Sequence, residues 1–466
     1  MSSIRDLLNR SRWRDGDLHA LEVHVLHRGA PGDRRVIQGS RIQAAKGNGI
    51  ELTPENDDSD GIFVPYHRFL AVMGADGSEL WSKEGGMAVS TSEGSFAEHA
   101  GSTTPAESPA TEVASDVVVL LKDGPELVID GSAGEGGGQL LRSSLTLSMI
   151  TGKPFILEKI RAGRKKPGLM RQHLTCVKAA AAICGAEVEG ASVGSHRLVF
   201  RPGAIIPGEH VLDIGSAGAC ALVLQTIALP LASANEASRI VVRGGTHAKW
   251  APPYPFLEEA WLPLVRRAGA NIHLELRSAG FYPAGGGEIV MRVEPTPDHA
   301  WKPLHLGESS GVLAKLEMKA IVSSLSEAIA RRELTAAAEL LKDTPLEMAS
   351  ESVRSPGPGN AIWLVARDEV TGLTNVFSGI GDVGVKAEDI GESLARDFLS
   401  WRDTGAAVEE HLADQVMLPI ALAGAGSYTC SALSLHLRTN LEVIRAFTGH
   451  RMKMWDLGNS RHRVTL

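Results

Sequence analysis

The segment Asp130-Gly-Ser-Ala-Gly-Glu-Gly-Gly-Gly-Gln-Leu-Leu-Arg142 places five glycines within eight residues, Gly131 to Gly138. It follows the apolar run Leu127-Val128-Ile129 and opens an apolar, helix-length stretch, Leu140 to Ile150. The pattern predicts strand, glycine loop, helix, a corner where backbone N–H groups can approach an anion. It is neither the Gly-Lys-Ser/Thr of a P-loop nor the dinucleotide pattern G-x-G-x-x-G. Instead it interleaves an acid, Glu135, an amide, Gln139, and a base, Arg142. That set suits a metal-bridged phosphate better than a nicotinamide cofactor.

A basic strip follows. Lys159, Arg161, Arg164, Lys165, Lys166 and Arg171 fall within thirteen residues that contain no acid. Gly163 and the pair Pro167-Gly168 break the run, so it reads as a loop rather than a helix face. Most charge runs are solvated surface. Here the run adjoins a phosphate-type loop, and guanidinium is shaped to clamp phosphate oxygens. It reads as a track for a polyanionic substrate. Gly215-Ser-Ala-Gly218 precedes another apolar, helix-like run and could start a second anion-binding helix. Gly285-Gly-Gly287 reads equally well as such a site or as a tight turn.

Bulk properties bound the answer. The chain has 466 residues, enough for two or more domains with sizeable cores. No apolar run is long enough to span a membrane. The N-terminus, Met-Ser-Ser-Ile-Arg-Asp-Leu-Leu, lacks the apolar core of a signal peptide. Cys176, Cys184, Cys220 and Cys430 have no C-x-x-C spacing and fit buried thiols in a reducing cytoplasm. The net charge of −8 argues for local recognition of a nucleic-acid end rather than wrapping.

Together these segments resemble the RNA 3'-terminal phosphate cyclases. The matching residues are Asp130-Gly131, Glu135-Gly-Gly-Gly-Gln139, Arg142, Ile160-Arg161-Ala-Gly-Arg164, Lys166-Pro-Gly-Leu169 and Arg171-Gln-His173. The likeness continues through Gly215 to Gly218, Leu224-Gln225-Thr226, Gly280 to Gly287, Leu412 to Gln415, Ala421 to Gly426 and His436-Leu-Arg-Thr-Asn440. It spans about residues 117 to 466. The family converts an RNA 3'-phosphate to a 2',3'-cyclic phosphate with ATP, through a covalent AMP–histidine and then an RNA adenylate. Relay through imidazole divides a hard displacement into easier ones.

By this resemblance His436 is the nucleophile; with sixteen histidines in the chain, composition alone does not single it out. His173 is its rival, expected to be structural or close to RNA. Arg161, Arg164 and Lys166 hold phosphates, and Glu135 holds Mg²⁺ or Mn²⁺. Gln139, Arg142, Gln172, Gln225 and the run His411, Leu412, Ala413, Asp414 and Gln415 contact the nucleotide, with Asp414 orienting the nucleophile or the ribose. The family carries an aromatic at the place of His411, so ring stacking on adenine is in question there. Phe377 is the alternative stacking face, although a core phenylalanine is the simpler reading.

The elements that must position these residues alternate between strand and helix. Phe155 to Ile160 reads as a strand, and Met170 to Cys184 as a helix stopped by Gly185. Glu187 to Phe200 reads as a hairpin around Gly194-Ser195, Ser238 to Arg243 as a strand, and Phe256 to Ala268 as a helix started or kinked at Pro263. The fold class is α/β, an α+β sandwich of helices on sheets. The resemblance implies repeated β-α-β-α-β-β units and an inserted smaller α/β domain over about 303–400, with a helix from Leu325 to Leu341.

Residues 84–116 contain no Lys or Arg and only one aromatic, Phe96, which predicts a flexible linker over 83–116. It separates a small domain, 1–82, from the rest. That domain resembles the family named for recognition of cyclic RNA ends, on His27-Arg28-Gly29, Gly39-Ser-Arg-Ile42 and Val64-Pro-Tyr-His-Arg68. His27, Arg28, Tyr66, His67 and Arg68 combine cations with stacking groups that suit an RNA end. Leu21 to Leu26 has the period-2 spacing of a strand. Two rival readings exist for the whole chain: a catalytically inactive cyclase-like scaffold, and an enolpyruvyl-type transferase on a related repeat fold. The first would lack the nucleophile; the His436-Leu-Arg-Thr-Asn440 ending speaks against the second.

Overall fold

The structure is a computed structural model. It describes residues 21–26, 34–46, 49–52, 63–65, 69–73, 79–82, 86–87 and 110–466, except 116, 297–299 and 343. The chain divides into two compact units, Met1–Pro105 and Ala106–Leu466.

In the first unit, alternate apolar residues make the strand Glu22–Leu26, which pairs antiparallel with Arg34–Gln38 on one side and Phe69–Met73 on the other. Val23 and Val25 point into a core with Ile37, Ile50, Phe69 and Val72. A three-stranded sheet, Ile42–Lys46, Gly49–Leu52 and Phe63–Pro65, completes it. His27, Arg28, Tyr66, His67 and Arg68 lie outside the described residues.

The second unit repeats one motif three times. In the first repeat Leu127–Asp130 leads through the glycine loop into helix α1, Gly138–Thr151. Phe155–Glu158 then lies parallel to Leu127–Asp130, and the basic loop leads into α2, Arg171–Cys184, ended by left-handed Gly185. Glu187–Glu189 and Leu198–Arg201 pair antiparallel and close the sheet beside Phe155–Glu158.

The second repeat copies this order. Glu209–Asp213 is followed by α3, Cys220–Ala232, and then by the parallel strand Ser238–Gly244. A helix runs through Tyr254–Phe256, a π turn Leu257–Trp261, and Leu262–Arg267; together these are α4. Pro263 has no N–H to continue the α pattern, which accounts for the irregular turn before it. The antiparallel pair Asn271–Ser278 and Gly287–Glu294 ends the repeat. α3 is apolar nearly all round, and α1 buries its serines and Thr146 along with its leucines, which places both inside a helix layer rather than on its surface.

The third repeat is interrupted. Its first strand, Leu304–Leu306, pairs parallel with Gly426–Cys430. Between them lies a four-stranded sheet, Leu316–Ser323, Leu346–Ser352, Gly359–Arg367 and Thr374–Ile380. It carries α5, Glu327–Leu340, and α6, Ala387–Arg402, over a core of its own. This inserted sheet therefore begins at Leu316, later than residue 303; a three-residue strand is too short to be read by periodicity. The repeat resumes with α7, Glu410–Ala423, then Gly426–Cys430, α8, Leu435–Thr448, and the pair Lys453–Asp456 and His462–Thr465. Thr111–Val113, inside the expected linker, is an edge strand on Lys453–Asp456.

Within the insertion, Glu333 is wholly buried, accepts a hydrogen bond from Asn360 Nδ2, and is pushed up to about 7 by burial. Its folded value lies above its unfolded one, so its contribution to stability is full below about pH 4.5 and lost as pH rises through 7. Glu333→Gln should therefore flatten the pH dependence and stabilise the chain at pH 8 by on the order of 3 kcal/mol, measured by urea unfolding at pH 5 and pH 8.

Candidate active site

The three elements that follow strand ends in the first and third repeats converge on Glu135. Its backbone N–H donates to Thr439 Oγ1 at 3.1 Å, which ties the glycine loop to α8. Thr439 Oγ1 itself donates to Leu435 O at 2.6 Å. A side chain at Gly134 would meet Thr439 Oγ1 at 2.1 Å, and Gly134 is left-handed at φ 58°, so only glycine serves there. The Glu135 carboxylate is buried. Its Oε1 accepts from the Gln139 N–H at 3.1 Å, and its Oε2 pairs with Arg164 Nη2 at 2.8 Å. The loop thus uses one helix-start amide on its own carboxylate and not on a ligand.

His436 sits one residue inside the start of α8, with Nδ1 3.8 Å from Glu135 Oε2. Its ring retains 47% of its accessible surface yet is closely surrounded. Burial pulls its pKa below the ordinary imidazole value; Glu135 opposes this, while Arg142, His411 and Arg164 reinforce it. The ring is accordingly neutral near pH 7, with a lone pair to offer. The position is fixed by a cap. Ser434 Oγ accepts from the Leu437 N–H at 2.9 Å and donates to Asp414 Oδ1 at 2.7 Å. Asn440 Nδ2 donates to the Asp414 carbonyl at 3.2 Å. Burial pushes Asp414 up to about 8, so it is largely uncharged at neutral pH. Through Ser434, Asp414 is joined to the start of α8, two residues before His436.

The basic loop is strapped to the glycine loop. Gly131 N–H donates to Glu158 O at 2.7 Å, and Arg161 N–H to Gly131 O at 3.2 Å. The Arg161 guanidinium folds back on Lys166 O at 2.7 Å, and burial and the neighbouring Arg164 draw its pKa down. Lys159 pairs with Asp130 at 2.9 Å, while Lys165, Lys166 and Arg171 are exposed. His173 Nδ1 accepts from the Met170 N–H at 3.3 Å and so caps α2. Burial, then Arg142, Arg161 and Arg164, hold its pKa down to about 3. It is a neutral spacer among three guanidinium groups.

Gln139, Arg142, Gln225, Asp414, Gln415 and Asn440 border one small polar cavity of about 30 Å³, room for about one water. Gln225 Nε2 donates to Gln415 Oε1 at 3.0 Å. Gln172 lies beside Gly218. His411 is exposed at the start of α7, its pKa raised chiefly by Glu409, whose carboxylate accepts from the His411 and Leu412 N–H groups. Leu412 and Ala413 have fully buried side chains and pack in the core, so they shape the cleft only through α7. Phe377 is a correction. Its ring lies in the core of the insertion, 5.7 Å from both Phe398 and Trp401, and offers no face to a nucleotide.

Sequence reading had assigned no role to Ser434, Glu409 and Thr439. Ser434 had a usable signal, a serine directly before an apolar, helix-spaced run. Glu409 and Thr439 had none, because each acts on an element distant in sequence or on its own helix start. Among the described residues no three His, Cys, Asp or Glu side chains form a metal cage. Glu135 is the carboxylate of this centre, and with Arg164 on Oε2 and the Gln139 amide on Oε1 a cation there would have to share or displace the arginine and take the rest of its shell from phosphate and water.

The fold is thus three α/β repeats, and its first and third repeats bring Glu135, Arg164 and His436 together. The sequence model of the family described as RNA 3'-terminal phosphate cyclase matches residues 133–454. A protein of that name from Ralstonia nicotianae is 49% identical over 329 residues, covering 70% of this chain and 93% of its own length. Namesakes from Ectopseudomonas mendocina and Koribacter versatilis are 47% and 45% identical, over 68% and 69% of this chain and 92% and 89% of theirs. The chain belongs to the RNA 3'-terminal phosphate cyclase family.

The His436 ring should titrate below the ordinary value of about 6.5 in an NMR pH series. Glu135→Gln removes the one neighbour that raises it, so the midpoint should fall further; a rise would contradict the described electrostatics.

Proposed function

We propose that this chain uses ATP to convert an RNA 3'-phosphate into a 2',3'-cyclic phosphate, by way of an adenylate on His436. The observation that carries the reading is the neutral His436 ring 3.8 Å from the Glu135 carboxylate, within the field of Arg142 and Arg164. In the first step His436 attacks the α-phosphorus of ATP; an N–P bond forms and the P–O bond to pyrophosphate breaks. The arginines stabilise charge gathering on the phosphate oxygens. An oxygen of the RNA 3'-phosphate then displaces histidine from AMP. Finally the 2'-hydroxyl attacks the activated phosphorus and expels AMP.

Glu135 would hold Mg²⁺ or Mn²⁺, which on phosphates supplies charge neutralisation. Gln139, Arg142, Gln225 and Gln415 are proposed to contact the nucleotide. The cavity that they border has room for about one water and not for adenine, so the base enters there only if the Gln225–Gln415 bond opens. The inactive-scaffold reading is disfavoured because a nucleophile, a carboxylate and arginines all meet here. A reducing compartment such as the cytoplasm suits the four free, buried thiols. Among the described residues no helix is long and apolar enough to cross a membrane. The first unit is proposed as a reader of RNA ends.

Incubation with α-labelled ATP and Mg²⁺ should leave acid-labile label on the wild type. His436→Ala should leave none while unfolding at an unchanged denaturant concentration; a normal yield of adduct from the variant would sink the assignment. Deletion of residues 1–105, which spares the edge strand Thr111–Val113, should retain adduct formation and weaken RNA binding. Loss of the adduct would make the first unit part of the active site.

A further inference from the structure

Two loops of the second repeat carry large side chains that the site above does not use. Trp250 is 96% exposed and Tyr282 78% exposed. Trp250 is held at φ 61°, a backbone conformation that residues other than glycine seldom adopt. Tryptophan is on average one of the more buried residues, so a whole indole offered to water on a strained backbone calls for a use.

The loops are rigidly joined. The Thr246 and His247 N–H groups both donate to Gly280 O, at 2.9 and 3.3 Å, and the Gly280 N–H donates to Thr246 Oγ1 at 2.9 Å. Next to the exposed pair, His247 stacks on Phe281 with ring centroids 5.5 Å apart, and both rings are buried. Lys249 Nζ reaches Asp382 Oδ2 at 2.5 Å and brings in a third loop, on which Val383 is fully exposed. The two exposed aromatics thus lie on loops hydrogen-bonded to each other, within three residues of the buried His247–Phe281 pair.

Close approaches between loops link this region to the start of α2. Gly285 lies so close to Ser216 that an added Cβ would be 2.7 Å from its carbonyl oxygen, and Gly245 would meet the Ala217 oxygen at 2.5 Å. Gly218, on the same loop, is in van der Waals range of the Gln172 side chain. Gln172 precedes His173, whose ring packs against Gly138 beside Arg142. Arg171, at the start of α2, and Lys165 and Lys166, on the loop before it, present exposed cations along that side.

We propose that Trp250 and Tyr282 form a stacking platform for the unpaired nucleotides that precede the RNA 3' end. The inference rests on the cyclase reading above. Aromatic faces beside cations bind single strands with little sequence preference, because every base has a stacking face. A platform of two rings also suits a protein that grips only the last few nucleotides, since a net charge of −8 argues against wide electrostatic wrapping.

The test uses the full chain and fluorescein-labelled single-stranded RNAs of about two and about ten nucleotides, each ending in a 3'-phosphate, with binding followed by anisotropy at fixed salt. The wild type should bind the longer RNA more tightly. Trp250→Ala and Tyr282→Ala should each weaken the longer RNA by about five- to a hundred-fold and leave the shorter one unchanged. Trp250→Phe should keep most of the affinity. Equal affinity of wild type and both alanine variants for the longer RNA would overturn the platform, as would equal wild-type affinity for the two lengths. Wild type that forms no adenylate with ATP alone would remove the cyclase reading beneath it. Wild type that does, with variants that bind normally, would remove the platform alone and leave the exposed rings to a protein partner.

Discussion

The carboxylate of Glu135 lies out of water, where an unpartnered carboxylate is costly. Its two oxygens are met by the Gln139 amide and the Arg164 guanidinium, and its own amide by Thr439. Those three contacts come from the glycine loop, the basic loop and α8, so one residue sets the distance between elements drawn from two repeats. The place of His436 follows from it, because Thr439 sits one helical turn beyond the histidine on the same helix. Removing the carboxylate would strand Arg164 beside Arg142 and Arg161, and Arg161 would lose the same opposing charge.

The repeat architecture explains why such a centre can exist at all. The first two repeats send both parallel strands into loops that open helices, the third does so after Gly426–Cys430, and α1 and α3 bury nearly all of their surface. Helix starts are therefore gathered where strands end. The first repeat gives its turns to glycine and arginine, the third gives its turns to caps and histidine, and the second exposes Trp250 and Tyr282. The same scaffold carries three surfaces of different chemistry because loops vary while packing does not.

Much of this was legible in residue order. The glycine loop, the basic loop, the α2 helix with its Gly185 stop, the Glu187–Phe200 hairpin and the irregular helix at Pro263 all follow from local rules, and the structure has them. Other features depend on contacts between distant residues. Leu304–Leu306 is a strand only because Gly426–Cys430 lies beside it, and Thr111–Val113 only because of Lys453–Asp456. Both segments read as loop or linker by themselves. At the site, the sequence named the charged groups but not what braces them. Phe377, offered as a ring for adenine, is spent on the packing of Phe398 and Trp401, and no local pattern distinguishes a core phenylalanine from an exposed one.

The third sheet is assembled from the two ends of the unit. Its edge strand comes from Thr111–Val113, its first strand from Leu304–Leu306, and the rest from residues beyond Gly426. A chain emerging from the ribosome makes the first two repeats and the insertion from neighbouring residues, but it must hold two short strands unpaired until its final forty or so residues appear. α8 and its histidine belong to that last segment. The nascent protein thus completes its arginine loop long before His436 is made, and the cluster of Glu135, Arg164 and His436 closes only with the last residues.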